Sequence, residues 1–172
     1  MQVTAIHDYK EDLDTLLRYF SEEALIIDKY TKLGGKQVKV VGLEETEDGF
    51  TVTTQREMPA NVPRVLKSLL GSFNTIKQDE TWRWQENGGL QCNFDVEILG
   101  VPAKIRGKMC FTEPTDRPNI ATVNKVYVDV DSSVPLVGGT LVSFICTDIK
   151  EQMQAEYAFL CQSLPKLIAE EA

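Results

Sequence analysis

From Val142 to Leu164 the residues Val142, Cys146, Ile149, Met153, Tyr157, Leu160 and Leu164 recur at steps of three and four. That spacing is one helix face held for about six turns at ~3.6 residues per turn. An apolar stripe of that length must be covered by something equally long. Gly138-Gly139-Thr140 opens the segment, the glycines permitting a tight strand-to-helix corner and Thr140 offering a cap for the first turn. Pro165 is expected to kink or stop the helix, which is therefore predicted from near Thr140 to near Leu164.

The cover is the run of alternating segments before it. Leu90, Cys92, Phe94, Val96 and Ile98 alternate with Gln91, Asn93, Asp95 and Glu97, the cleanest period of two in the chain. One face of such a strand is buried and the other wet. Further alternations run over 38–40, 50–58, 74–85, 103–112 and 120–130, separated by Glu47-Asp48-Gly49, Glu86-Asn87-Gly88-Gly89, Gly100-Val101-Pro102 and residues 113–119, all rich in turn chemistry. Apolar residues at 62, 65, 66, 69 and 70, between Pro63 and Gly71, predict a helix of one or two turns inserted between strands. Residues 2–9 read as a first strand. Two short helices follow it, one over 11–20 opened by acids, one over 21–33 with Ala24, Ile27, Tyr30 and Thr31 about a turn apart and Gly34-Gly35 at its end.

Such a meander has an apolar face to bury, and only the last helix is long enough to bury it. The expected fold is α+β: a curved antiparallel sheet of about seven strands wrapped around a long C-terminal helix, with two short helices after the first strand. At 172 residues the chain is expected to be a single domain, 1–172, with enough core to fold without staples.

Charge and composition narrow the partners. Eighteen Lys and Arg against 26 Asp and Glu give a net charge of -8, the wrong sign for tracking nucleic-acid phosphates or docking on anionic lipid. No apolar run reaches the roughly 18 residues of a membrane span, and the N-terminus lacks a basic segment followed by an apolar one. A cytoplasmic location without stable membrane insertion is expected. Cys92, Cys110, Cys146 and Cys161 form no Cys-x-x-Cys pair and read as free thiols, and His7 is the only histidine. His7 is taken as an ordinary strand residue, and no metal or cofactor is expected.

Three segments carry a likeness to known proteins: Thr54-Gln55-Arg56-Glu57-Met58-Pro59 leading to Pro63, Asp79-Glu80-Thr81-Trp82, and Val134-Pro135-Leu136-Val137-Gly138-Gly139 at the corner before the last helix. With them the chain resembles, over about residues 2–164, the START and birch-allergen-like superfamily of helix-grip proteins, and within it a small bacterial family of unknown function. The resemblance implies a cavity between sheet and helix. It implies no catalytic residues.

Parity then picks out polar residues on the buried side. Arg56 shares a face with Phe50, Val52 and Met58, and Glu80 with Gln78, Trp82 and Trp84. Glu156 falls on the stripe of the last helix between Ile145 and Ile149 at ~100° per residue. Because an isolated charge in an apolar interior is costly, Arg56 should meet Glu80 or Glu156, water, or a polar ligand. Arg56, Glu80, Trp82, Trp84, Phe94, Met109, Met153, Glu156 and Tyr157 are the expected ligand-binding residues. Their chemistry points to a hydrophobic or amphipathic small molecule, lipid- or polyketide-like. A cyclase or dehydratase using Arg56, Glu80, Glu156 or Tyr157 as acid, base or oxyanion donor is the alternative, and a protein-interaction module with a filled cavity is a third.

Overall fold

A computed structural model describes residues 1–172. The chain runs β1 (Gln2–Tyr9), α1 (Leu13–Ser21), α2 (Glu23–Lys32), β2 (Lys36–Thr46), β3 (Gly49–Pro59), a single 3-10 turn at Arg64–Leu66, β4 (Phe73–Trp84), β5 (Leu90–Ile98), β6 (Lys104–Thr112), β7 (Thr122–Asp131) and α3 (Gly138–Glu171). Every neighbouring pair in the seven-stranded sheet is antiparallel, in the order β1-β7-β6-β5-β4-β3-β2. The fold is an α+β helix grip. No helix is long and apolar enough to cross a membrane.

Local chemistry sets the short elements. Asp12 accepts from the Thr15 N–H at 2.8 Å and caps α1, which buries Leu13, Leu16, Tyr19 and Phe20. In α2 the buried residues are Ile26, Lys29 and Tyr30, while Ala24 is exposed. Of the expected positions Ala24, Ile27, Tyr30 and Thr31 only Tyr30 is buried, so the phase is corrected toward Ile26 and Lys29. Four consecutive apolar residues, Ala24 to Ile27, leave the phase open, and Lys29 settles it by reaching a carboxylate inside. The insertion predicted as a helix is only the turn at Arg64–Leu66, pinned by buried Leu66 and Leu70.

The last helix departs from expectation at both ends. It begins at Gly138 with Val137 at the cap position and no side-chain cap, so Thr140 does not cap it. It passes through Pro165 to Glu171, because Leu164 and Leu167 on either side of the proline are both buried. Their packing outweighs the lost backbone bond.

The core forms two clusters at opposite ends of α3. One gathers Leu16, Phe20, Trp82, Phe111, Leu160 and Leu164, the other Val3, Leu66, Ile105, Val130, Leu141 and Ile145. Between them Ile149, Met153, Glu156 and Tyr157 are only half-buried. The helix packs on β1, β7, α1 and α2, and opposite β3, β4 and β5 its middle turns face a gap.

Candidate functional site

That gap is a cavity of about 180 Å³. Phe94, Val96, Met109 and Val126 from the sheet and Ile149 and Met153 from α3 form its apolar walls. Gly107 lies opposite Phe94 in the β5–β6 ladder, and a Cβ there would run into the Phe94 ring, so the glycine lets that ring lie against the sheet. Leu33, Pro59, Ala60 and Asn74 on one side, and Asp148 and Gln152 on the other, line the cavity while half-exposed. The cavity therefore opens between the β3–β4 connection and α3.

The β3–β4 register builds one polar wall. Thr54 pairs with Gln78 and Val52 with Glu80, so alternate residues of both strands share the inner face. Arg56 donates from Nη1 to Thr54 Oγ1 at 3.1 Å and from Nη2 to Gln78 Oε1 at 3.0 Å. Gln78 Nε2 donates to Glu80 Oε2 at 3.0 Å, and the Trp82 indole N–H to Glu80 Oε1 at 2.8 Å. The Arg56 guanidinium lies 3.8 Å from the centre of the Tyr30 ring. Arg56 thus pairs with neither Glu80 nor Glu156, contrary to expectation, since the register inserts Gln78 between Arg56 and Glu80.

Glu156 has a different partner. Lys29 Nζ is 2.7 Å from Glu156 Oε1, its side chain 1% exposed against 27% for the glutamate. The ammonium also lies 3.9 Å from the Phe20 ring centre and 4.8 Å from that of Tyr30. Burial by itself would lower the Lys29 pKa, but Glu156 and Tyr30 outweigh it and hold the value above that of an ordinary lysine. Burial pushes the Glu80 carboxyl up, opposed by Lys29, the Trp82 N–H and Arg56. On β1, His7 stacks on Tyr157 at 4.5 Å and is pushed down by burial, while the Tyr157 hydroxyl donates to the Asp8 carbonyl at 2.8 Å.

Asp148, at the mouth, is raised from 3.8 to about 6 by burial and by Glu151. The folded state then binds this proton more tightly than the unfolded chain, so stability falls as pH rises from about 4 to about 6. Asp148→Asn removes that cost. Discounted for the water the side chain still touches, the gain should be on the order of 1 kcal/mol at pH 7. It should shrink toward zero near pH 4. Thermal midpoints at the two pH values check this, and an equal gain at both would mean that ionisation is not the cause.

Of the residues picked out by parity, Arg56, Glu80, Phe94, Met109, Met153, Glu156 and Tyr157 line the cavity. Trp82 and Trp84 do not. Trp82 is fully buried beneath Phe20, which separates it from the space, and Trp84 is 43% exposed at the end of β4. Parity assigns a face but not a depth: Trp84, the last residue of β4, lies beyond the rings of Phe20, Phe50 and Phe111 that cover Trp82. Lys29, Tyr30, His7, Asn124 and Asp148 also belong to the lining or its charge network. For His7 the signal was present, since Val3, His7 and Tyr9 share one parity. For Lys29 it was a cation within the stripe of Ile26, Tyr30 and Leu33.

A family model described as "Protein of unknown function (DUF2505)" matches residues 4–164. No curated protein matches the sequence. Among solved structures, a protein from Thermus thermophilus is similar at 13% identity, covering 97% of this chain and 99% of that one, with a TM-score of 0.65. A START superfamily protein from Mycobacterium smegmatis is similar at 13% identity over 96% of this chain and 98% of its own, with a TM-score of 0.61. A conserved protein from Geobacillus kaustophilus is similar at 9% identity over 96% of both chains, with a TM-score of 0.58. At these identities the shared property is the fold.

Proposed function

The chain belongs to the DUF2505 family, and we propose that it binds an amphipathic small molecule, lipid- or polyketide-like, in the cavity between the sheet and α3. The observation that carries this reading is the incompletely packed middle of the α3 stripe: Ile149 and Met153 touch the core on one side but line an open space on the other. A protein that needed the helix only for its core would close that gap, because interiors pack to the density of organic crystals. Mostly apolar walls with a few convergent polar groups are the usual form of a small-molecule site.

Size limits the occupant. A cavity of about 180 Å³ compares with an engineered one of ~150 Å³ that takes benzene and with the ~300–1,000 Å³ that encloses drug-sized ligands. One ring or a short acyl chain fits inside, and a longer body would extend through the mouth.

The enzymatic reading is less well supported, because the candidate acid-base groups are already engaged. Both oxygens of Glu80 are held by Gln78 and Trp82, Glu156 by Lys29, and the Tyr157 hydroxyl by the main chain of Asp8. A filled interaction module accords poorly with the open space.

Titration with 1-octanol tests the proposal. Calorimetry should show saturable binding of one molecule per chain, and Met153→Trp, which puts an indole into the cavity, should abolish it while circular dichroism shows the fold kept. Absence of saturable binding, or full binding by a folded Met153→Trp variant, would move the ligand elsewhere or remove it.

A further inference from the structure

We propose that the ligand is a monocarboxylic acid with a short apolar body, and that its carboxylate binds the Arg56 guanidinium. This rests on reading the cavity as a ligand site. The two cations of the cavity region differ in one respect. Lys29 has a carboxylate of its own at 2.7 Å. Arg56 has none: its contacts are the neutral oxygens of Thr54 and Gln78, and its Nε, buried, has no hydrogen-bond partner.

Arg56 is 8% exposed and lines the cavity, with one face covered by Tyr30. A guanidinium keeps its charge and presents five donors in a planar fork, so most of its hydrogen-bonding capacity is unused here. A buried charge without a counter-charge is among the costlier features a fold can keep. Glu80 acts on Arg56 only at a distance, with Gln78 bridging the two and no ion pair between them, and Lys29 holds Glu156, so no carboxylate contacts the guanidinium. A planar carboxylate can accept two parallel N–H bonds from a fork, the strongest neutralisation available to arginine.

The surroundings favour a single charge over a phosphate. Glu80 and Glu156 lie on the same cavity and would repel a dianion, and the other cation is already paired. The chain's net charge of -8 matters less at contact, because at physiological salt it is screened beyond about 8 Å.

Octanoate and 1-octanol share a chain and differ in the head, so comparing them by calorimetry at pH 8 and fixed salt separates the two levels of the argument. Wild-type protein should bind octanoate at least about tenfold more tightly than octanol, as a charge-assisted pair supplies more than a neutral hydrogen bond. In Arg56→Gln that preference should vanish while octanol binding persists, and Arg56→Lys should keep part of it. If wild-type protein binds both but does not prefer octanoate, the carboxylate assignment falls and the cavity site stands. A preference that survives in Arg56→Gln would also overturn the assignment. If neither molecule binds the wild type, the cavity reading fails and takes the assignment with it. The wild-type comparison decides even if a variant does not fold.

Discussion

Trp82→Ala should destabilise the protein by about 4 kcal/mol or more, within or above the ~3–5 kcal/mol typical of large aromatic truncations in cores. Trp82 is fully buried, stacked on Phe50 at 5.3 Å and packed on Phe20 at 5.4 Å and Phe111 at 5.6 Å. Removing it opens a void among three rings joined to α1, β3 and β6, which cannot close together. It also takes away the N–H on Glu80 Oε1, so a buried carboxyl already pushed up by burial loses one of the groups that favour its ionised form. Against a typical total of ~5–15 kcal/mol, such a loss leaves a marginal fold. Trp82→Phe separates the two contributions: it keeps most of the ring contact, loses the donor, and should cost about 1–3 kcal/mol. Denaturant unfolding of both variants checks this. A change within about 0.5 kcal/mol for the alanine variant, the level of surface substitutions, would place Trp82 outside the core.

What the sequence made legible follows from what periodicity encodes. A period of two over Leu90 to Ile98 and a three-four period over Val142 to Leu164 survive any packing arrangement, so the strands, the long helix and their mutual cover were readable. The passage through Pro165 was not, because there tertiary burial of Leu164 and Leu167 overrides the local rule. The inward faces of Arg56 and Glu80 were readable by the same parity that misplaced Trp84, since parity carries no information about where a covering layer ends. Which charge meets which was illegible for a further reason. The β3–β4 register sets Thr54, not Arg56, opposite Gln78, and the phase of α2 brings Lys29 to Glu156 from the far end of the chain. Both are properties of docking, not of either segment alone.

That last pair yields the other large effect. Glu156→Gln should cost about 3 kcal/mol near pH 7, the low end for breaking a buried ion pair from one side. Lys29 is left sealed at 1% exposure with only the rings of Phe20 and Tyr30 against its ammonium and the charge of Glu80 nearby. Lys29→Met should cost less, about 1 kcal/mol, because the sealed site then holds an unbranched apolar chain and Glu156, 27% exposed, can turn to water. The double variant should therefore be more stable than Glu156→Gln alone. The pH dependence has opposite signs in the two proteins. In the wild type the folded Lys29 pKa is raised, so the pair's contribution is complete below the unfolded lysine value of about 10.4 and is lost as pH climbs through the folded value. In Glu156→Gln burial prevails and lowers the folded pKa, so the folded state holds this proton less tightly than the unfolded chain, and stability should rise from neutral pH toward about 10. Urea unfolding from pH 6 to 10 should show no change from this pair in the wild type, whose loss begins only above about 10.4, and a rise in stability in Glu156→Gln. If Glu156→Gln shows the wild-type slope, or if Lys29→Met proves the costlier change, then the ammonium does not depend on Glu156 for its charge, and the pair is not what fixes the phase of α2.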